Sequence, residues 1–271
     1  MDVLDQPVWR VIDLPLADAR QSFALDDALC QSVGSGHSPA VIRLWQHDRT
    51  VALGIQDTRL PFLHNGIKLL QTAGYDCFVR NSGGLAVVLD RGILNLSLVL
   101  SEQQPPLTIT ASYEAMAGLI REFLARQGLA LQIGEISRSY CPGRYDLSVG
   151  GRKFAGIAQR RMRGGVAVQI YLCVTGSGGA RGELVRHFYE ASTGEEAGNM
   201  PAVDPHVLAS LEELTGRMQT IKHVAKTLTA LLKRRAPLVH SSLSVEEQHF
   251  FDIGKQRMNE RNAAVLPPAA D

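Results

Sequence analysis

The sequence predicts an α+β fold, on three observations. Short runs rich in Val, Ile and Leu recur between residues 41 and 174 and read as strands. Longer stretches among them carry apolar residues at helical spacing. From Pro205 onward the pattern is helical, so helical elements gather toward the C-terminal end. With 271 residues, 45% hydrophobic and 20% charged, the chain supports one large domain. That domain is read as 1–262, its helical C-terminal part beginning near 205, with a tail at 263–271.

The elements follow in order. Residues 16–33 read as a helix on Ala19, Phe23, Leu29 and Val33, stopped by Gly34. Residues 41–45 and 51–53 read as strands around the polar turn His47-Asp48-Arg49. Residues 61–72 form a short helix, and 75–79 a strand. Strands at 86–89 and 94–100 meet at Asp90-Arg91-Gly92, and Pro105-Pro106 marks a loop. Residues 110–127 carry Tyr113, Met116, Ile120, Phe123 and Leu124 on one helical stripe, with Gly128 as the stop. After a short strand at 129–133 comes a hairpin. Its first arm is 145–149, its turn is Gly150-Gly151, and Lys153 opens the return strand. Residues 166–174 are an apolar strand. The run Gly176-Ser177-Gly178-Gly179 reads as a plain loop before a helix at 183–191. Val207, Leu211 and Leu214 form a helical stripe ending at Gly216, and a separate helix spans 220–234. Ser244-Val245-Glu246-Glu247 is a capping box that opens a final helix to about 262.

Several function classes fall away. A formal net charge of +1 gives no global basic field for nucleic acid. No apolar run approaches the roughly 20 residues of a membrane span. Met1-Asp2-Val3-Leu4-Asp5 does not resemble the start of a secretory signal. The four cysteines, Cys30, Cys77, Cys141 and Cys173, form no CxxC pair and no zinc-spaced cluster, so no metal or cofactor is expected. Reduced thiols then point to the cytoplasm.

One cysteine stands apart. Cys30, Cys77 and Cys173 lie in apolar periodic segments, where a thiol acts as a small hydrophobe. Cys141 sits in Ser139-Tyr140-Cys141-Pro142-Gly143-Arg144-Tyr145-Asp146, an exposed turn. The hairpin folds Lys153, twelve residues on, back toward it. A thiolate is the nucleophilic form of cysteine, and a neighbouring cation favours it. Cys141 and Lys153 are therefore the candidate nucleophile and its partner in an acyl-transfer enzyme. Arg80-Asn81-Ser82-Gly83-Gly84 offers a backbone that a ligand or strand can approach closely, although Gly-Gly pairs are common in plain turns. It is not a Walker A loop. Arg160, Arg161 and Arg163 read as a solvated strand edge that also suits an acidic partner.

The same segments carry a resemblance. Arg80 to Gly84 with Ala86-Val87 resembles the Arg-x-Ser-Gly-Gly signature of the biotin/lipoyl protein ligase family. Gly151-Arg152-Lys153-Phe154-Ala155-Gly156-Ile157-Ala158-Gln159 is similar to that family's Gly-x-Lys-x-x-Gly-x-Ala/Ser-Gln strand. The Cys141 turn resembles the branch of octanoyltransferases that draw on the glycine cleavage system H protein. The resemblance implies a mixed, largely antiparallel β-sheet with packed helices, like a biotin/lipoate protein ligase catalytic domain. It implies an acyl-thioester on Cys141, with Lys153 favouring the thiolate. It also implies an acyl pocket lined by Arg80, Ser82, Gly83, Gly84, Gly156 and Ala158. The implied partners are the octanoylated or lipoylated H protein as donor and E2 lipoyl domains of 2-oxoacid dehydrogenases as acceptors. ATP-dependent ligases of the family carry a third glycine where Leu85 stands, and an acidic-amide segment where the cysteine turn stands. An ATP-dependent ligase, an octanoyltransferase fed by acyl carrier protein and a non-catalytic binder of acylated domains are the alternatives.

Overall fold

A computed structural model describes residues 2–103, 106–194 and 201–266; Pro105 of the expected loop and residues 267–271 of the expected tail lie outside these. In chain order the elements are β1 (Trp9–Val11), α1 (Ala19–Gly34), β2 (Val41–Trp45), β3 (Thr50–Leu53), α2 (Leu63–Thr72), β4 (Asp76–Val79), β5 (Val87–Leu89) and β6 (Ile93–Ser101). Then come α3 (Ile109–Ala125), β7 (Gln132–Ile133), β8 (Asp146–Val149), β9 (Arg152–Met162), β10 (Gly165–Cys173) and α4 (Gly178–Thr193). The chain closes with α5 (Leu211–Thr215), α6 (Ile221–Lys233), β11 (Leu238–His240) and α7 (Val245–Ala263). The predicted α+β architecture with a mixed, largely antiparallel sheet is what forms.

An eight-stranded sheet runs in the order β11-β1-β2-β6-β10-β9-β8-β7, and β4-β3-β5 make a second, three-stranded sheet. In the large sheet β1 pairs parallel with both β11 and β2, and every other pairing is antiparallel. Alternation of side chains sorts the central strands onto two cores. Leu94, Leu96, Leu98 and Leu100 of β6, with Val166, Val168, Ile170 and Leu172 of β10, face α3 and α6. Ile93 and Val99, with Ala167, Tyr171 and Cys173, face α1 and the small sheet. The second face also carries the polar residues Asn95, Ser97 and Gln169, all buried. The functional site lies on that face.

Local chemistry explains most boundaries. Thr108 caps α3 through the Ala111 amide, and Ser244 completes the expected capping box with Glu247. Gly150 and Gly151 have φ of 57° and 74°, the left-handed pair a two-residue hairpin needs, and Val149 pairs with Arg152 across it.

The strands at 41–45 and 50–53 belong to different sheets, as do β5 and β6, because each polar turn carries the chain from one layer to the other. Three expectations change. The glycine run at 176–179 is not a loop before a later helix. Ser177 caps α4 through the Ala180 amide, so the helix starts at Gly178. The stripe from Val207 to Leu214 is broken into a 3₁₀ turn (Pro205–Val207) and the short α5, which Ser210 caps. The C-terminal part is not helical throughout, since β11 adds an edge strand to the large sheet.

Candidate active site

Strand register lays out the floor of a cavity. Asp146, Gly156, Tyr171, Asn95 and Trp45 occupy paired positions across β8, β9, β10, β6 and β2. Ala158, Gln169 and Ser97 form the adjoining row. Four inter-strand steps of about 4.8 Å make a trough roughly 19 Å long. Ala52, Val87 and Leu89 of the small sheet and Phe23 of α1 roof it, and Ile109, Tyr113 and Tyr145 complete the wall. The cavity, open to solvent at one side, has a volume of about 460 Å³. The rings of Tyr113 and Tyr145 stack with centroids 4.3 Å apart. A buried network fixes the polar part of the floor. Asp26 pairs with Arg43 and accepts from Ser97 Oγ and Gln169 Nε2, both at 2.7 Å.

Cys141 lies on the cavity wall, half-buried rather than exposed. Its φ is 45°, a left-handed conformation that costs a non-glycine residue about 1–3 kcal/mol. The surroundings hold it there. Lys153 Nζ, 1% exposed, donates to the carbonyls of Tyr140 (2.9 Å) and Cys141 (2.8 Å) and to Ser139 Oγ (3.2 Å), and pairs with Asp146 Oδ1 at 2.8 Å. Asp146 Oδ2 accepts the amides of Ile136 (3.0 Å) and Gly143 (3.1 Å), which closes the turn from the other side. Burial raises the Asp146 carboxyl above its ordinary value, and Lys153 pulls it the other way.

The sulfur's own partners come from the glycine loop. Leu85 N–H lies 3.1 Å from Cys141 Sγ, and Arg80 Nη2 lies 3.5 Å from it while donating to the Leu85 carbonyl at 2.8 Å. Gly84 has φ of 101°, and a Cβ there would strike the Arg80 guanidinium and come within 2.8 Å of Sγ. Behind the loop sit two residues that the sequence did not single out. Tyr189 OH accepts the Ala86 amide (3.2 Å) and donates to Asp57 Oδ1 (3.0 Å), and Asp57 Oδ2 accepts the Gly54 amide (2.7 Å). Burial pushes the Asp57 carboxyl up to about 6, and burial beside Asp57 keeps the Tyr189 hydroxyl protonated.

Among the residues expected from sequence, Arg80, Gly83, Gly84, Cys141, Gly156 and Ala158 line one cavity. Gly156 lets the Tyr171 ring lie across β9, since a Cβ would stand 2.8 Å from it. Ser82 is buried outside the lining, its hydroxyl without a hydrogen-bond partner among the described residues. Lys153 also lies outside the lining, under the turn. Its hydrogen bonds go to the Cys141 carbonyl and not to the sulfur. Arg160 and Arg161 are not a solvated edge, because they pair with Asp27 (2.7 Å) and Glu102 (2.5 Å). Asp146 lies in the same short stretch as Cys141, and its carboxyl reaches back three residues to the Gly143 amide. No local signal links Asp57 to Tyr189, 132 residues away.

The other thiols are chemically quiet. Burial raises Cys30 and Cys173 and pushes Cys77 up to about 11. No group of three His, Cys, Asp or Glu side chains among the described residues is placed to hold a metal ion. No described helix is long and apolar enough to cross a membrane.

A mixed sheet roofed by a small second sheet encloses a long cavity, with a thiol on its wall and an arginine–glycine loop against that thiol. The chain belongs to the family described as the lipoyl protein ligase A/B catalytic domain, whose pattern matches residues 18–233. It is 50% identical over 275 residues to "Octanoyl-[GcvH]:protein N-octanoyltransferase" of Bacillus velezensis, covering 98% of this chain and 96% of the relative. It is 45% identical to "Lipoyl-[GcvH]:protein N-lipoyltransferase" of Listeria monocytogenes, covering 97% and 98%. In fold it is similar to the bipartite lipoate protein ligase of Thermoplasma acidophilum, with a TM-score of 0.70 at 20% identity, covering 97% of this chain and 98% of that one.

Proposed function

We propose that this protein is an acyltransferase of lipoate assembly. It moves an octanoyl group from the lysine of octanoylated glycine cleavage system H protein (GcvH), through a thioester on Cys141, to the lysine of an E2 lipoyl domain. The observation that carries this is the Cys141 sulfur facing the 460 Å³ cavity with the Leu85 amide directed at it. The names of the curated relatives support the donor.

Each step balances without ATP, because one lysine amide is exchanged for another. The sulfur adds to the amide carbonyl of octanoyl-lysine. The C–N bond then breaks, and the thiol proton leaves on the lysine amine. In the second half the acceptor's amine adds to the thioester carbonyl, the C–S bond breaks, and a proton returns to the sulfur. Splitting the exchange in two replaces one difficult amine–amide reaction with two easier ones. Leu85 N–H stands where charge develops beside the sulfur, and Arg80 holds that peptide by its carbonyl. Each buried methylene of the chain contributes about 0.8 kcal/mol. Lys153 acts from beneath, keeping the left-handed turn at Cys141 closed. Arg160 and Arg161 already have acidic partners, so exposed Arg144 at the cavity is better placed to attract an acidic donor domain.

Incubating the protein with octanoyl-GcvH and an apo lipoyl domain, without ATP or magnesium, should yield the octanoylated acceptor. Transfer only from free octanoate plus ATP would establish a ligase instead, and transfer only from octanoyl-acyl carrier protein would reassign the donor.

A further inference from the structure

Asp57 is out of place as a purely structural residue. Its carboxyl is fully buried and has no ion-pair partner within 4 Å among the described residues. An isolated buried acid costs stability, and such groups gather at functional sites. Its two oxygens are used in a specific way: one takes the Gly54 amide, the other the Tyr189 hydroxyl. Gly54 lies directly beneath the Gly84 carbonyl, so close that a Cβ would overlap it. Tyr189, 4% exposed, turns its oxygen to the Ala86 amide. The loop from Gly84 to Ala86 is thus gripped on both sides of Leu85. We propose that Tyr189 and Asp57 are positioning residues, which hold the Ala86 amide so that the preceding Leu85 N–H stays directed at the Cys141 sulfur and at the oxyanion formed beside it. Asp57 orients the hydroxyl by accepting its hydrogen bond, which leaves the oxygen's lone pairs for the Ala86 amide. The hydroxyl and carboxyl touch neither thiol nor cavity, so they act only through the loop.

The proposal rests on Cys141 being the acyl acceptor, and the test separates the two claims. Octanoyl loading of Cys141 from octanoyl-GcvH is followed in single turnovers for Tyr189→Phe, Asp57→Asn and the double variant, alongside thermal midpoints. Independently, the rate of iodoacetamide alkylation at Cys141 is read by peptide mass. Tyr189→Phe keeps the ring and strands one buried amide, so the maximal loading rate should fall about tenfold. The octanoyl-GcvH concentration giving half-maximal rate should stay unchanged, because the donor touches neither residue. Asp57→Asn retains one acceptor and should lose less. The double variant should be no worse than Tyr189→Phe, since both act through one chain of bonds. Alkylation should slow in the same order, as the sulfur loses a donor that favours its anion. Loading and alkylation at wild-type rates in Tyr189→Phe, or losses that multiply in the double variant, would overturn the proposal. If the wild-type protein alkylates but never loads, the acyl-transfer reading fails while the alkylation series still decides the clamp. If Tyr189→Phe does not fold, Asp57→Asn carries the same comparison.

Discussion

Two glycine-rich stretches, residues 83–84 and 176–179, look alike in sequence and do opposite things. At Gly84 the space reserved by the missing Cβ is filled by the ends of two side chains, Arg80 and Cys141. At Gly178 it is filled by the backbone of Ala209. Side-chain ends can move aside at small cost, whereas backbone cannot. An added methyl therefore disturbs chemistry at the first position and packing at the second. Glycine content alone announces close approach, and only the identity of the approaching atom separates a site from a seam.

The largest expected effect lies under the turn that faces the first stretch. Lys153→Ala leaves Asp146 buried without its cation and frees the carbonyls that hold Cys141 in its left-handed conformation. It should cost about 3–5 kcal/mol in urea unfolding and abolish loading. Gly84→Ala comes next. It should lower the loading rate at least about a hundredfold by displacing Arg80 from the Leu85 peptide, with a stability loss near 1 kcal/mol from the positive φ. Gly178→Ala should show the reverse, losing about 2–3 kcal/mol of stability through overpacking. Ala209 also donates to the Lys153 carbonyl at 2.9 Å, so a small loading defect should accompany it, well below that at Gly84. Equal loading defects at Gly84 and Gly178 would erase the distinction.

A smaller effect should appear at a buried group outside both stretches. Burial lowers His47 to about 4, and its Nε2 lies 2.9 Å from Ser22 Oγ. Because the folded state resists protonation, His47 contributes full stability above pH 6.5. That contribution is lost as pH falls toward 4, by about 2 kcal/mol at pH 5. His47→Gln should flatten the acid limb of stability against pH between 6.5 and 4 and leave loading at neutral pH unchanged.

The sequence made the local features legible. The Gly150-Gly151 hairpin, the Ser244 capping box and the Gly128 stop each depend on a few adjacent residues, and each forms as read. Six lining residues could be named because three short motifs carry them. What stayed hidden depends on distant partners. β1 and β11 are three residues each and become strands only by pairing parallel across the length of the chain. The sequence marks the turns at 46–49 and 90–92 but not that each carries the chain from one sheet to the other. Spacing placed Lys153 near Cys141 without telling carbonyl from sulfur, because the left-handed turn at Cys141 decides which atom faces the ammonium. Asp57 and Tyr189 meet only through tertiary packing.

The central claim is the covalent intermediate. Intact mass of the protein after mixing with octanoyl-GcvH, without ATP or acceptor, should show one added octanoyl group. Peptide mapping should place it on Cys141, hydroxylamine should remove it, and Cys141→Ala should never acquire it. Transfer to an E2 lipoyl domain at full rate by Cys141→Ala, or a wild-type protein that transfers while its mass never changes, would contradict the account.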